Sequence, residues 1–140
     1  VHDEQQLSIL GRTFTFFDLR SENSLQYGYS VQLHCGKLTF TGDEPCPPWC
    51  EHYVQHSRWY LCEAFCCFED REVFHPYRKF HKTARDAAEL AQRLDAKNLV
   101  LWHTEDNDLA GRREQYTREA REVFTGGIYV PDDLDVIALT

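Results

Sequence analysis

The sequence predicts an α/β domain, with a β meander in its first third followed by a β-α-β unit and a further helix. Three observations carry that prediction. Between residues 12 and 40 the chain alternates β-branched and aromatic residues with polar ones and breaks at Gly-containing turns. From 83 to 95, Ala84, Ala87, Ala88, Ala91 and Leu94 recur at helical spacing. Short apolar runs flank that helix, one ending at Glu63 and the other at His103, as strands covered on both faces do.

In chain order, "RTFTFF" (12–17) reads as a strand, and "YGYSVQLHCGKLTFTGDEP" as two more joined by the Cys35-Gly36 turn. Tyr29, Val31 and Leu33 alternate with Ser30, Gln32 and His34, which gives the strand one buried face. "PCPPWCEHYVQHS" opens on turn prolines and continues as a short helix, with Trp49, Tyr53 and Val54 as its apolar positions. "RWYLCEAFC" is the next strand, followed by the helix 83–95 and the strand 99–102. Parallel strands need such a crossover, so Glu63 and His103 are predicted at one sheet edge. "REQYTREAREVF" gives a second helix, and "IYVPDDLDVIAL" gives a short strand, a turn at Pro131 to Asp133 and a last strand. No repeat or linker interrupts the chain, and residues 1–140 are predicted to form a single domain.

Charge and composition narrow the function classes. Asp and Glu number 23 against 15 Lys and Arg, a net charge of -8, and no four basic residues are consecutive. An extended nucleic-acid-binding surface is therefore not expected. The start "VHDEQQLS" is too polar for a secretory signal, and no apolar stretch approaches the roughly 20 residues of a spanning helix. The expectation is a soluble, cytoplasmic protein with no membrane partner. Cys46 and Cys50, like Cys62 and Cys66, are separated by three residues, which is not zinc-ribbon spacing, so the six cysteines read as reduced thiols. The chain has no methionine, as expected of a processed product, a fragment or half of something larger.

Four polar residues follow an apolar run or lead into a helix. "KLTFTGDEP" delivers Asp43, "WYLCEAF" delivers Glu63, "YRKFHKTARDAAELA" places His81 before the helix, and "NLVLWHTED" delivers His103. Each also has a plainer reading: Asp43 as a turn residue, Glu63 as a satisfied buried carboxylate, His81 as a helix cap and His103 as a surface-loop residue. Together they offer the carboxylate and imidazole donors that zinc and similar ions accept, and a Glu–His pair able to move a proton.

In this order, strand-TGD, strand-xEA, H-x-T-helix, strand-LxxH and "DDLDVIAL", the sequence resembles the second half of the metallo-β-lactamase fold, in the branch containing ribonuclease Z. The resemblance runs from about Gly11 to Leu139. It implies half of an αββα sandwich with two helices on one face of the sheet. It also implies that Asp43 bridges two metals, that His103 ligates one of them, and that Glu63 orients His81 as proton donor to the leaving oxygen. A hydrogen bond between Glu63 and His81 is thus expected. Three positions depart from the family pattern: Cys62 for the His before the Glu, Lys82 for the Ser after the His, and "TGDEPC" for "TGDT".

The family's H-x-H-x-D-H metal motif belongs to its first half and is not in this chain. Asp43 and His103 alone leave an ion short of ligands, since catalytic zinc usually has about three protein ligands plus water. The implied cofactor is zinc or another divalent metal, as two ions shared with an N-terminal half or a second chain. The implied activity is hydrolysis of a small phosphoester or other ester, with RNA a further candidate. The competing expectation is a non-catalytic binding or assembly module that keeps half of the fold and forms a homo-oligomer through its uncovered face.

Overall fold

In the computed structural model, which describes residues 1–22 and 24–140, one seven-stranded sheet runs in strict chain order. The strands are β1 (Gln6–Ile9), β2 (Arg12–Asp18), β3 (Tyr27–Leu33), β4 (Gly36–Phe40), β5 (Trp59–Glu63), β6 (Asn98–Trp102) and β7 (Gly127–Tyr129). The first four are antiparallel neighbours and the last four are parallel. A hairpin through Leu10 and Gly11, both at positive φ, joins β1 to β2. The predicted Cys35-Gly36 turn joins β3 to β4, with Gly36 at φ +121°, a conformation L side chains rarely adopt. β1 was not expected, because "QLSI" is too short and too exposed to carry a pattern of its own.

Each parallel step needs a crossover. From β4 to β5 the chain passes through a 3₁₀ turn at Pro48–Cys50 and the helix α1 (Glu51–Val54), close to the predicted short helix. From β5 to β6 it passes through a short helix α2 (Arg71–Phe74), a 3₁₀ turn at Pro76–Lys79 and α3 (Ala84–Arg93). α4 (Leu109–Arg121) links β6 to β7. α3 starts where predicted: the Thr83 hydroxyl accepts the Asp86 N–H at 3.2 Å while the Asp86 carboxylate accepts the Thr83 N–H at 3.0 Å. α4 starts earlier than "REQYTREAREVF" suggested, because Asp108 caps it by accepting the Gly111 N–H at 3.0 Å.

The sheet separates two hydrophobic clusters. On one side, Phe17, Tyr60, Cys62, Leu99 and Leu101 pack with Ala87, Ala88 and Ala91 of α3 and Tyr116 and Ala120 of α4. Small alanines let the helix approach the strands closely. Both long helices lie on this side, as expected. Val31, Leu38, Trp59 and Val100 form the second cluster, with half-buried Phe14, Tyr29, Leu33, Leu61 and Tyr129 around them. The predicted inward side of β3, Tyr29, Val31 and Leu33, faces this second cluster.

The predicted last strand is not formed. Arg113 donates to Asp132 and Asp135 at 2.6 and 2.7 Å, and the Asp135 carboxylate accepts the Asp132 N–H at 3.0 Å. These bonds tie the segment after β7 into a turn instead of a ladder. Ile137 and Leu139 then pack on the second cluster, and the Arg58 guanidinium donates to the Thr140 carbonyl at 3.1 and 3.2 Å.

Candidate active site

All four residues singled out in the sequence lie around the C-terminal ends of β4, β5 and β6, the edge where α/β sheets hold their ligands. β4 and β5 are parallel, as are β5 and β6, with Glu63 in register with Trp102. Asp43 therefore leaves the end of β4, Glu63 closes β5, and His103 follows β6 on the same edge. Gly42, at φ +64°, makes the turn that presents Asp43. Asp43 is half-buried, and its carboxylate makes no hydrogen bond or ion pair among the described residues. A carboxylate serving only a turn would normally bond to the backbone it turns.

His103 itself adopts φ +55° and is exposed. Phe80, just before His81, has φ +62°, and His75 has φ +50°. Left-handed backbone at such residues costs on the order of 1 kcal/mol or more and collects at functional sites. These kinks bracket the 3₁₀ turn at Pro76–Lys79 and bring His81 back over the sheet edge. Since Thr83 caps α3, the imidazole of His81 is not spent as a helix cap.

Glu63 is fully buried. One oxygen, Oε1, accepts the Lys82 N–H at 2.6 Å. The other, Oε2, lies 3.7 Å from His81 Nδ1, and neither atom has a hydrogen-bond partner among the described residues. The expected Glu63–His81 hydrogen bond is thus corrected to a close but open approach. The Lys82 bond pins the carboxyl, and Phe65 holds the imidazole by stacking at a centroid distance of 4.8 Å and an angle of 15°. Burial pushes the Glu63 carboxyl up to about 8, against the Lys82 backbone donor and the Lys82 charge, which favour its ionised form. Burial and then the nearby His103 lower the proton affinity of His81, opposed by the charges of Asp43 and Glu44.

The His81 and His103 rings are 5.0 Å apart between centroids. Phe65 flanks both, 6.2 Å from His103, and carries Lys79 Nζ 4.5 Å from its ring centroid. Sequence reasoning missed Phe65. An aromatic directly after "EA" looks the same as any core residue until the fold turns it toward the imidazoles.

No protein-family model matches the chain. Ribonuclease Z of Natronomonas pharaonis is 40% identical to it over 60 residues, 43% of this chain and 19% of that protein. Ribonuclease Z of Bacillus cereus is 35% identical over 63 residues, 45% of this chain and 20% of that one. The metallo-β-lactamase fold protein YhfI of Bacillus subtilis superposes with a TM-score of 0.74 at 19% identity, over 91% of this chain and 50% of that chain. The short form of human tRNase Z gives a TM-score of 0.67 at 19% identity, over 99% of this chain and 44% of that chain.

The chain has the metallo-β-lactamase fold, and a stretch of about 60 of its residues is similar to ribonuclease Z. The chain spans about half the length of those two structures, and its matched segment is about a fifth of the curated ribonucleases. The donors at this edge can be tested against the divalent metal that the fold implies. Asp43 supplies an unengaged carboxylate and His103 an exposed imidazole, both suited to zinc-type ions. Among the described residues no group of three or more His, Cys, Asp or Glu is arranged to hold an ion. Both are donor types a divalent ion accepts, and a site built on them needs further ligands. None of the described cysteines joins them in such a group; all six are free, and burial drives the Cys62 and Cys66 thiols up to about 12.

Proposed function

We propose that this chain contributes one half of a metal-dependent hydrolase of phosphoester or other ester bonds, with RNA among the candidate substrates. The observation that supports the reading is the gathering of Asp43, Glu63, His81 and His103 on one sheet edge, with buried Glu63 and half-buried His81 facing and unbonded at 3.7 Å. In this reading Asp43 and His103 hold zinc or another divalent ion, with two ions shared between this half and ligands from a first half of the fold, on the same polypeptide or a second chain. The metal would supply Lewis-acid activation of the attacking water.

The chain's own residues do the rest. His81 faces the leaving oxygen and hands it a proton, while Glu63, held by the Lys82 N–H, sets the ring's tautomer and orientation. Closing the 3.7 Å separation to a hydrogen bond accompanies substrate binding, as catalytic contacts often tighten only in the complex. Phe65 keeps the imidazole in plane during that step. No helix of the described residues is long and apolar enough to cross a membrane, in keeping with a cytoplasmic place of action.

The sheet's second face supports a competing reading. Its half-buried aromatics suit a partner layer, and a non-catalytic module assembling as a homo-oligomer would use the same surface. Metal content separates the two. The 140-residue chain is expected to bind zinc weakly and to hydrolyse no phosphodiester. Together with a polypeptide carrying an H-x-H-x-D-H half, it should bind two ions and turn over bis(p-nitrophenyl) phosphate, and His103→Ala should lower bound metal and turnover together. Full-strength zinc binding that His103→Ala leaves unchanged would overturn the assignment.

A further inference from the structure

α4 buries an unusual face. A helix that packs on a sheet normally turns an apolar stripe toward it, yet of the buried residues of α4, Arg112, Tyr116 and Glu119 all carry polar groups. Each spends those groups on segments that leave β5 and β6 or start α3. The Glu119 carboxylate accepts the Phe68 N–H at 2.8 and 2.9 Å and the Arg85 N–H at 2.8 Å. The Tyr116 hydroxyl donates to the Phe65 carbonyl at 2.9 Å, and that carbonyl also accepts the Glu105 N–H at 2.8 Å. One helix thus holds the chain where it leaves β5 and, through Phe65, where it leaves β6.

Arg112 reaches furthest. Its side chain is 9% exposed, Nη1 donates to Thr104 Oγ1 at 2.6 Å, and Nη2 donates to the Pro131 carbonyl at 2.7 Å and to the Asp132 carboxylate. A guanidinium presents its donors in one rigid plane, so the groups bonded to it are fixed in direction as well as in place. Space-filling does not account for it. Burying the charge is costly, Nε is left without a partner, and an apolar side chain would close the same space without that cost.

The residue it grips directly follows His103. At φ +55° His103 holds a backbone conformation that non-glycine residues keep when their surroundings impose it. Its exposed ring stands 5.0 Å from that of His81. We propose that Arg112 is the positioning residue of His103: it ties Thr104 to the turn after β7, imposes the left-handed kink and keeps the two imidazoles facing one space. It touches neither substrate nor ion. The inference rests on the hydrolase reading for its purpose, and adds to it the Pro131–Asp132 turn as a third segment on which the placement of His103 depends.

The geometry can be read without metal or turnover, by nuclear magnetic resonance on the 140-residue chain in chelator at one fixed pH. In the unsubstituted chain the carbon-bound ring protons of His81 and His103 should share a nuclear Overhauser cross-peak, and residual dipolar couplings at 103 should fit a positive φ. Thr104→Val keeps the side-chain shape, removes the acceptor and leaves Arg112 bonded to Pro131 and Asp132. It should lose both signatures while the amide shifts of β6 and α3 stay in place. Thr104→Ser keeps the acceptor and should keep both signatures. Arg112→Met, similar in length but without donors, should match Thr104→Val. A clamp that merely fastens α4 to the turn after β7 makes the opposite prediction for Thr104→Val, which leaves that clamp whole. Signatures that survive Thr104→Val or Arg112→Met, that vanish equally in Thr104→Ser, or that are missing from the unsubstituted chain overturn the proposal. Zinc binding and turnover play no part in this result, so the hydrolase reading fails separately, on the His103→Ala measurement.

Discussion

The two faces of the sheet are built on different principles. Behind β5 and β6, the helix side is closed: Tyr60, Cys62, Leu99 and Leu101 are fully buried under an alanine-lined α3. Among the described residues, the cluster on the opposite side has four buried hydrophobic residues, ringed by half-buried Phe14, Tyr29, Leu61 and Tyr129 and crossed by the C-terminal tail through Ile137 and Leu139. Tilted ring pairs continue along it, Phe14–Tyr29 at 5.4 Å, Tyr29–Phe40 at 5.2 Å and Phe40–Trp102 at 5.1 Å. The closed side carries the stability of the chain. The open side offers a surface on which another layer can pack, and its ring row ends at Trp102, next to His103.

That contrast can be broken most strongly from the closed side. Leu101→Ala removes a side chain with no exposure and should lower unfolding stability by ~2–5 kcal/mol in urea denaturation. A loss as small as that of an open-face substitution would mean that the two faces do not differ in packing.

Glu63 gives the next effect, and its sign is fixed by burial. Its folded-state value is raised from 4.5 to about 8. Below 4.5 the folded and unfolded states both hold the proton. As the pH climbs from 4.5 to about 8, the unfolded chain ionises while the folded one cannot, so stability falls across that window. Glu63→Gln mimics the protonated carboxyl, keeps an oxygen for the Lys82 N–H, and should flatten this decline in thermal melts recorded from pH 4.5 to 8. An unchanged slope would show that Glu63 ionises freely in the folded state.

The smallest effect is expected on the open face. Ile137 is only partly covered where the tail crosses the second cluster, so Ile137→Ala should cost about 1 kcal/mol, in line with partial burial of its methyl and methylene groups. A cost matching that of Leu101→Ala would show the tail to be as much a part of the core as β6.

The β-α-β order, the start of α3 at Thr83 and the delivery of Asp43, Glu63 and His103 at strand ends were legible in the sequence. Strand runs and helical stripes are local periodicities, and parallel neighbours place their C-terminal ends together by necessity. β1 was illegible because it has no pattern beyond its pairing with β2. The last strand expected after the turn at Pro131 to Asp133 failed for the opposite reason. Its apolar alternation is real, but Arg113 binds Asp132 and Asp135 across sequence distances of 19 and 22 residues and turns the chain away from the sheet edge.

At the site, the sequence alone determined which residue types arrive at the edge of β4, β5 and β6, because strand length and turn position are written in neighbouring residues. Only the tertiary structure decided that Glu63 stops 3.7 Å short of His81, that Phe65 stacks on that imidazole, and that Arg112 joins Thr104 to Pro131 and Asp132. Those relations join segments tens of residues apart. They are set by crossover paths, left-handed kinks at His75 and Phe80, and the competition of each polar atom for a buried partner, none of which leaves a periodic trace in the chain.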